Sequence, residues 1–191
     1  MTMHRNVVPP APSAVAGPAE TFRQAMRQFA GGVAIVTAGT GADRTGLTAT
    51  AITSLSAEPS ALVVCVNRSA SAWPLILREQ AFGVNLLAVG HVGLAKRFAG
   101  VDGVKGAARY EQGLWTRLET GVPVLADALA AFDCAVEEVF ERHSHAVLIG
   151  RVRAVHAGLP GDPLLYWQGG YRSLAGSGDD WSPVVERLAA R

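Results

Sequence analysis

The stretch GLTATAITSLSAEPSALVVCVN, residues 46–67, joins a run of small residues and hydroxyls to an apolar run. A turn at Glu58-Pro59 separates the part around Thr48–Ala51 from the apolar residues 61–66. Strand-forming residues on both sides of a turn predict a β-hairpin. Small side chains also let a flat ligand approach the backbone, where N–H groups and hydroxyls can bond its polar edge. From this stretch alone, the plain hairpin is the favoured interpretation.

Length and composition indicate one globular domain. The chain has 191 residues, of which 49% are hydrophobic and 17% charged, and this suits a single large core. A net charge of +1 argues against nucleic acid held by a basic face and against an anionic membrane surface. No apolar run approaches the roughly 20 residues that span a bilayer. The start of the chain lacks the apolar core of a signal peptide, so we expect a cytoplasmic protein.

The two ends of the chain differ from its middle. Residues 1–19 contain four prolines among Ala, Val and Ser, which predicts a disordered tail. Residues 20–175 contain the periodic segments and form the predicted domain. Residues 176–191 are predicted to be a second tail or a short helix.

Short strands dominate the predicted domain. Beyond the opening stretch, alternating or continuous apolar runs predict strands over 33–37, 82–87, 132–136, 146–155 and 164–167. Helical spacing predicts short helices over 21–30, 71–78 and 91–98. Seven or so strands without regular strand–helix alternation predict an antiparallel barrel and not a doubly wound sheet.

Several local features refine this interpretation. Thr21 is the predicted N-cap of the first helix, and Ser71 that of the second. The pair Glu137-Glu138 interrupts the alternation of its strand, as a β-bulge does. Residues 101–121 are polar, aromatic and Gly-containing, which predicts a long surface loop.

The sequence lacks the signatures of several enzyme classes. No G-x-G-x-x-G follows a strand, and there is no P-loop and no G-x-S-x-G elbow. His143 and His145 form a close pair, but no Cys or carboxylate set with zinc spacing lies nearby, so no metal is predicted. Cys65 and Cys134 lie in apolar runs and are predicted to be small buried side chains without a disulfide.

Six segments in order resemble the short-chain flavin reductases, the reductase partners of two-component flavin monooxygenases. They are FAGGVAIVTA (29–38), GLTATAITSLS (46–56), PSALVVCVNRSASAWPLI (59–76), FGVNLLA (82–88), HSHAVLIGRV (143–152) and PLLYWQGGYRSL (163–174). None is diagnostic alone, but their order over residues 21–174 makes the resemblance specific. It implies a mainly β fold, an antiparallel split β-barrel of Greek-key type with a few short peripheral helices.

The resemblance also implies an activity. Such an enzyme moves a hydride from NADH, with NADPH as the other possibility, to FMN or FAD. Reduced flavin then reaches a partner monooxygenase by diffusion, and family members are homodimers. Two alternatives share the barrel: an electron-transfer flavoprotein that retains FMN without using NAD(P)H, and a pyridoxamine-phosphate-oxidase-like enzyme, which fits the motif order less well.

Matching positions imply the site residues. The isoalloxazine would lie against Thr48, Ala49, Thr50 and Ala51. The ribityl chain would be flanked by Cys65, Val66, Asn67 and Arg68. The phosphate end would comprise Ser69, Ser71, the helix start near Ala72, the turn residues Ala99 and Gly100, and Lys105.

Three later residues complete the implied site. His145 matches the family histidine near the nicotinamide and would orient that ring by hydrogen bonding, without proton transfer. Tyr171 and Arg172 match a C-terminal Tyr-Arg pair that would close over the site. Hydride transfer needs nicotinamide C4 stacked about 3–3.5 Å from flavin N5, so positioning supplies most of the catalysis.

Overall fold

The structure is a computed structural model that describes residues 17–158 and 160–174. Its strands are β1 Gly31–Gly32, β2 Ala34–Thr40, β3 Asp43–Ala49, β4 Ile52–Ala57, β5 Ser60–Asn67, β6 Ala81–Leu86, β7 Trp115–Arg117, β8 Pro123–Leu125, β9 Ala130–Arg142, β10 His145–Ala157, β11 Leu165–Trp167 and β12 Gly170–Arg172. Its helices are α1 Pro18–Met26, α2 Trp73–Glu79 and α3 Val92–Phe98, with 3₁₀ turns at Val89–His91 and Gly106–Glu111.

Seven strands form one antiparallel sheet in the order β3-β2-β6-β9-β10-β5-β4. β3 and β4 lie at opposite edges, yet only Thr50 and Ala51 separate them in the chain. The three Cα steps between these strands span at most about 11 Å, so the sheet must curl until its edges approach each other. The predicted split β-barrel is therefore confirmed, and we call residues 50–51 the seam.

The longest pair of strands, β9 and β10, contains the predicted bulge. Ile149 faces Glu138, whereas Gly150 faces Val136, so Glu137 is the additional residue. Gly150 is required here, because a Cβ at this position would lie 2.3 Å from the ring of Phe82. The bulge and the glycine together let a large aromatic ring fill the barrel interior.

The core lies on both sides of β2. One cluster fills the barrel with fully buried side chains, among them Val36, Val64, Val66, Phe82, Val84, Cys134 and Leu148. The other lies between the barrel and α3 and includes Ile35, Leu94, Phe98, Tyr110 and Leu125. Both cysteines are free, as predicted; Cys134 is fully buried, which raises its thiol pKa to about 12, whereas Cys65 is half-buried.

The first helix differs from its prediction. α1 begins at Pro18 with Gly17 at the N-cap, and Thr21 lies inside the helix, where its Oγ1 donates to the Gly17 carbonyl at 3.2 Å. The helix ends at Met26, and none of its residues is buried. The predicted boundary after residue 19 thus falls within α1. Of the two predicted tails, residues 1–19 and 176–191, the structure describes only residues 17–19.

Ser71 does not cap the second helix. Ala72 occupies the N-cap of α2 and no side chain bonds the helix start. The hydroxyl of Ser71 lies instead 3.1 Å from that of Thr45 on β3. Ser71 is thereby held next to the barrel.

Residues 101–121 are largely exposed, as predicted, but they contain a 3₁₀ turn and β7, and Tyr110 anchors them to the barrel. The ring of Tyr110 is buried, with its centroid 5.2 Å from that of Phe98 and 4.7 Å from that of Trp115. Its hydroxyl donates to the Thr45 carbonyl at 2.6 Å, and burial raises the pKa of Tyr110. These aromatic residues recur without a helical or strand period, so no periodic pattern indicates that they pack on the barrel.

The described part of the chain lacks two features. No helix there is long and apolar enough to cross a membrane. The same residues contain no group of three or more His, Cys, Asp or Glu side chains placed to hold a metal ion.

Candidate active site

Three adjoining cavities form a groove at the seam. The central cavity, about 250 Å³, is lined by Val33, Thr48, Ala49, Thr50, Ala99, Tyr166 and Tyr171. The serine cavity, about 390 Å³, is lined by Gly46, Leu47, Thr48, Ser69, Ala70, Ser71, Phe98, Ala99 and Arg109. The helix cavity, about 320 Å³, is lined by Arg23, Met26, Arg27, Phe29, Gly31, Thr50, Tyr166, Trp167, Gln168 and Gly169. The central cavity shares lining residues with each of the other two.

The seam offers free backbone donors beside the central cavity. Both Thr50 and Ala51 are exposed, and neither amide donates a hydrogen bond to any residue that the structure describes. The chain is leaving one sheet edge for the other here, so these amides have no ladder partner. Backbone N–H groups that donate no hydrogen bond and lie among small side chains fit the acceptor atoms along the polar edge of an isoalloxazine.

Thr48 lines the groove and also forms a hydrogen bond that holds β3 against α3. Its hydroxyl donates to the Ala95 carbonyl at 2.6 Å, which ties β3 to α3. Gly46 permits this approach, because a Cβ there would lie 2.8 Å from the Phe98 ring. The wall shared by the central and serine cavities is therefore fixed by helix packing.

The serine cavity combines hydroxyls with one cation. The Asn67 carboxamide oxygen accepts from both the amide and the hydroxyl of Ser69, each at 2.9 Å, and this fixes the turn after β5. Nε of Arg109 donates to the Val104 carbonyl at 2.9 Å and Nη1 to the Gly46 carbonyl. Its Nη2 has no hydrogen bond to a described residue. A held guanidinium with one free nitrogen, beside the hydroxyl of Ser71, fits a phosphate.

Partial burial does not remove the positive charge of Arg109 in the serine cavity. Desolvation lowers the pKa of Arg109, while nearby Asp102 acts in the opposite direction. An arginine titrates so far above neutrality that the side chain stays protonated. The serine cavity therefore presents a permanent positive charge.

The groove brings together seven of the residues that the resemblance implied. They are Thr48, Ala49, Thr50, Ser69, Ser71, Ala99 and Tyr171. Burial raises the pKa of Tyr171, so its hydroxyl stays protonated near neutral pH.

The other implied residues lie outside the lining of these three cavities. Val66 points into the barrel and is fully buried, so only its backbone could meet a ligand. Arg68 forms a 2.6 Å ion pair with Glu141. Gly100, Lys105 and Arg172 are exposed.

His145 lies on the outer surface of the barrel. It opens β10 opposite Asn67, with its Nδ1 2.9 Å from the Ser144 hydroxyl. Ala146 points into the barrel, so strand alternation directs His145 outward. Cys65 lies on the same outer face, and its amide donates to the seam carbonyl of Ala51 at 3.0 Å. β5 therefore bonds the seam along one edge and pairs with the start of β10, where His145 lies, along the other.

Sequence reasoning missed several groove residues. Arg109 follows Lys105 by four positions, and no local pattern distinguishes the two. Tyr166 and Trp167 form the aromatic run before the Gly169-Gly170 turn, which was a usable signal. Arg23 and Arg27 lie on the polar side of the predicted helix over 21–30, where helical spacing alone indicates only a solvated face.

The chain belongs to the flavin reductase-like domain family, whose model matches residues 26–175. It is 44% identical over 156 residues to the FMN reductase (NADH) RutF 2 of Methylorubrum extorquens strain PA1, covering 82% of this chain and 90% of that relative. It is 36% identical over 173 residues to the FMN reductase (NADH) RutF of Variovorax paradoxus strain S110, covering 91% and 95%.

Solved structures agree with the fold. BorF, the flavin reductase component of a bacterial two-component tryptophan halogenase, is similar with a TM-score of 0.75 and 30% identity over 82% of this chain and 98% of that one. The NADH:FAD oxidoreductase SgcE6 of Streptomyces globisporus C-1027, in complex with NAD and FAD fragments, has a TM-score of 0.76 and 25% identity over 87% and 100%.

Proposed function

We propose that this protein is an NADH-dependent flavin reductase with FMN as its preferred flavin. The observation that carries the proposal is the pair of free amides at Thr50 and Ala51, set between small side chains in a groove with a cationic end. Membership of the flavin reductase-like family supports it, as do relatives named FMN reductase (NADH).

The seam binds and polarises the flavin ring. Bound flavin supplies N5 as the hydride acceptor. The amides of Thr50 and Ala51 donate to the polar edge of the ring, where negative charge grows during reduction, and such preorganised donors lower the barrier. The small side chain of Ala49 in the wall of the central cavity leaves room for the ring to contact the backbone.

The serine cavity holds the flavin phosphate. Ser69 and Ser71 supply hydroxyls, and Arg109 supplies the charge through its free Nη2. We assign this role to Arg109 in place of Lys105, because Arg109 lines the cavity and Lys105 lies exposed outside it.

His145 orients the nicotinamide without taking a proton. Its exposed position at the start of β10, opposite Asn67, supports this role, because the Asn67 carboxamide holds the turn that carries Ser69 at one end of the groove. Tyr171 lines the central cavity and contributes a neutral hydroxyl to its wall.

The working unit is a homodimer. The apolar side chain of Leu55, 53% exposed, lies on the edge strand β4. β4 also leaves one edge of the sheet unpaired. A second copy covering these surfaces would bury apolar area and a free strand edge.

Reduced flavin leaves for a partner monooxygenase in the cytoplasm. Similar solved structures support this step: one is the flavin reductase component of a two-component halogenase, and another is a styrene monooxygenase flavin reductase from Pseudomonas putida S12. The partner recognises the diffusing reduced flavin, so no docking surface is required on this chain.

A steady-state assay tests the activity. Purified protein is mixed with NADH and free FMN, then FAD, then riboflavin, and the loss of NADH absorbance is followed; NADPH then replaces NADH. We expect NADH oxidation that saturates with FMN and is slower with NADPH. Bound FMN without any oxidation of NADH or NADPH would contradict the reductase and favour an electron-transfer flavoprotein.

A further inference from the structure

We infer that the helix cavity, between the end of α1 and the β11–β12 hairpin, binds the phosphate groups of the reduced pyridine dinucleotide. This inference rests on the proposed function, because it places the rest of a hydride donor whose nicotinamide stacks at the seam. It adds a second anion site to the groove, separate from the serine cavity.

Two unpaired cations line the helix cavity. Arg23 and Arg27 are four residues apart, so their side chains project from the same face of the helix end. Neither forms an ion pair with a carboxylate in the described chain. Nε of Arg23 donates to the Ala19 carbonyl at 3.1 Å, and the Arg27 guanidinium bonds no described residue. Two guanidinium groups that form no ion pair in the described chain favour a phosphate ligand.

Aromatic rings form the opposite wall. Tyr166 and Trp167 are 40% and 38% exposed, so ring surface is available to a planar group. The wall is tied to the helix end, since the Gln168 amide donates to the Arg27 carbonyl at 3.0 Å and Trp167 Nε1 donates to the Gln28 carbonyl at 3.3 Å. A cavity with cations on one side and aromatic faces on the other suits a nucleotide.

The order of the three cavities along the groove indicates which nucleotide occupies the helix cavity. The central cavity shares Thr50 and Tyr166 with the helix cavity, and it shares Thr48 and Ala99 with the serine cavity. A flavin whose phosphate lies near Arg109 therefore extends away from Arg23 and Arg27. The ligand that continues from the ring toward the helix cavity is the one that stacks on the ring, which is the dinucleotide.

The kinetic test removes both cations. In Arg23→Gln/Arg27→Gln, we expect the KM for NADH to rise about tenfold, because two charge-assisted contacts with the dinucleotide phosphates are removed. The activity with dihydronicotinamide riboside, which carries the same hydride donor without phosphate, should not change. The matched double variant Lys96→Gln/Arg117→Gln removes two charges from exposed positions outside the groove and should leave both substrates unaffected.

The NADPH arm identifies which phosphate is bound. An equal rise of KM for NADH and NADPH assigns the arginines to the diphosphate. A larger rise for NADPH assigns them in part to the 2′-phosphate. Both outcomes support binding of dinucleotide phosphates in this cavity.

A binding measurement gives a readout without catalysis. ADP-ribose contains the diphosphate but no nicotinamide, and calorimetry should show that the double variant binds it at least fivefold more weakly than wild type. Flavin affinity, measured by fluorescence quenching, should stay the same. Circular dichroism verifies that the variant is folded.

Two kinetic patterns would overturn the inference. One is an unchanged KM for NADH together with unchanged ADP-ribose binding. The other is an equal loss with NADH and with the phosphate-free riboside, which would place the arginines near the ring. Failure of the wild type to oxidise NADH with any flavin would contradict the proposed function itself, and the inference would fall with it.

Discussion

Arg109 shows how one side chain can give a cavity its character. Two of its nitrogens are occupied by the carbonyls of Val104 and Gly46, which fixes the guanidinium in place. When the remaining nitrogen binds an anion, the side chain therefore loses less conformational entropy than a free surface arginine would. The charge is preorganised for an anion.

The first prediction compares Arg109 with Lys105. Arg109→Gln should raise the KM for FMN about tenfold, because one charge-assisted hydrogen bond to phosphate is lost. The KM for riboflavin, which has no phosphate, should stay within about twofold. Lys105→Gln is the matched control and should change neither constant. An effect of Lys105→Gln on FMN alone would return the phosphate role to Lys105.

The second prediction concerns His145. His145→Ala should raise the KM for NADH about tenfold, since one orienting hydrogen bond is removed, and leave flavin affinity unchanged. Steady-state kinetics and fluorescence quenching by FMN measure the two effects. If His145→Ala keeps the turnover and the KM for NADH of the wild type, His145 does not orient the nicotinamide.

The residue scale also shows where sequence reasoning stops. The small-residue run at 48–51 and the serines at 69 and 71 could be located from their order in the chain. Arg109 could not, because its value comes from a contact with Gly46, 63 positions away. A lysine and an arginine four residues apart look equivalent until a 3₁₀ turn directs one of them inward.

Among the elements, the pairing of β9 with β10 shows how a single missing side chain shapes the barrel. Their bulge at Glu137 lies beside Gly150, where the Phe82 ring occupies the space of a Cβ. The alternation of apolar residues made both strands and the bulge predictable. Caps were not predictable, since Thr21 and Ser71 are good capping residues that the fold uses for other bonds.

The third prediction tests this packing. Gly150→Ala should lower the free energy of unfolding by about 1–3 kcal/mol, because the added methyl group overlaps the Phe82 ring. For a domain of this size the melting temperature would fall by about 3–10 °C. Gly93→Ala is the control: it lies in α3 with open space around its Cβ position and should be neutral or stabilising. Equal melting temperatures for wild type and Gly150→Ala would contradict the packing argument.

At the scale of the whole molecule, the connection of opposite sheet edges by two residues places the site. The barrel must curl to let Thr50 and Ala51 join β3 to β4, and the same crossing leaves their amides undonated. The fold class was predictable from many short strands. The seam was not, because strand order depends on pairings far apart in sequence.

The fourth prediction addresses the proposed homodimer. Leu55→Arg places a charge on the exposed edge strand and should shift the protein toward monomer in sedimentation velocity, whereas wild type sediments as a dimer. Val101→Arg changes an apolar residue away from β4 that is even more exposed, at 74%, and should leave the dimer intact. A wild-type monomer at micromolar concentration would contradict the proposal.

The central claim is that the groove at the seam carries hydride from NADH to a bound flavin. Anaerobic stopped-flow mixing of protein and FMN with NADH tests it most directly, through the loss of visible flavin absorbance. We expect protein-dependent bleaching whose rate saturates with NADH and depends on the pyridine nucleotide supplied. Bleaching no faster than that of free FMN with NADH would contradict it.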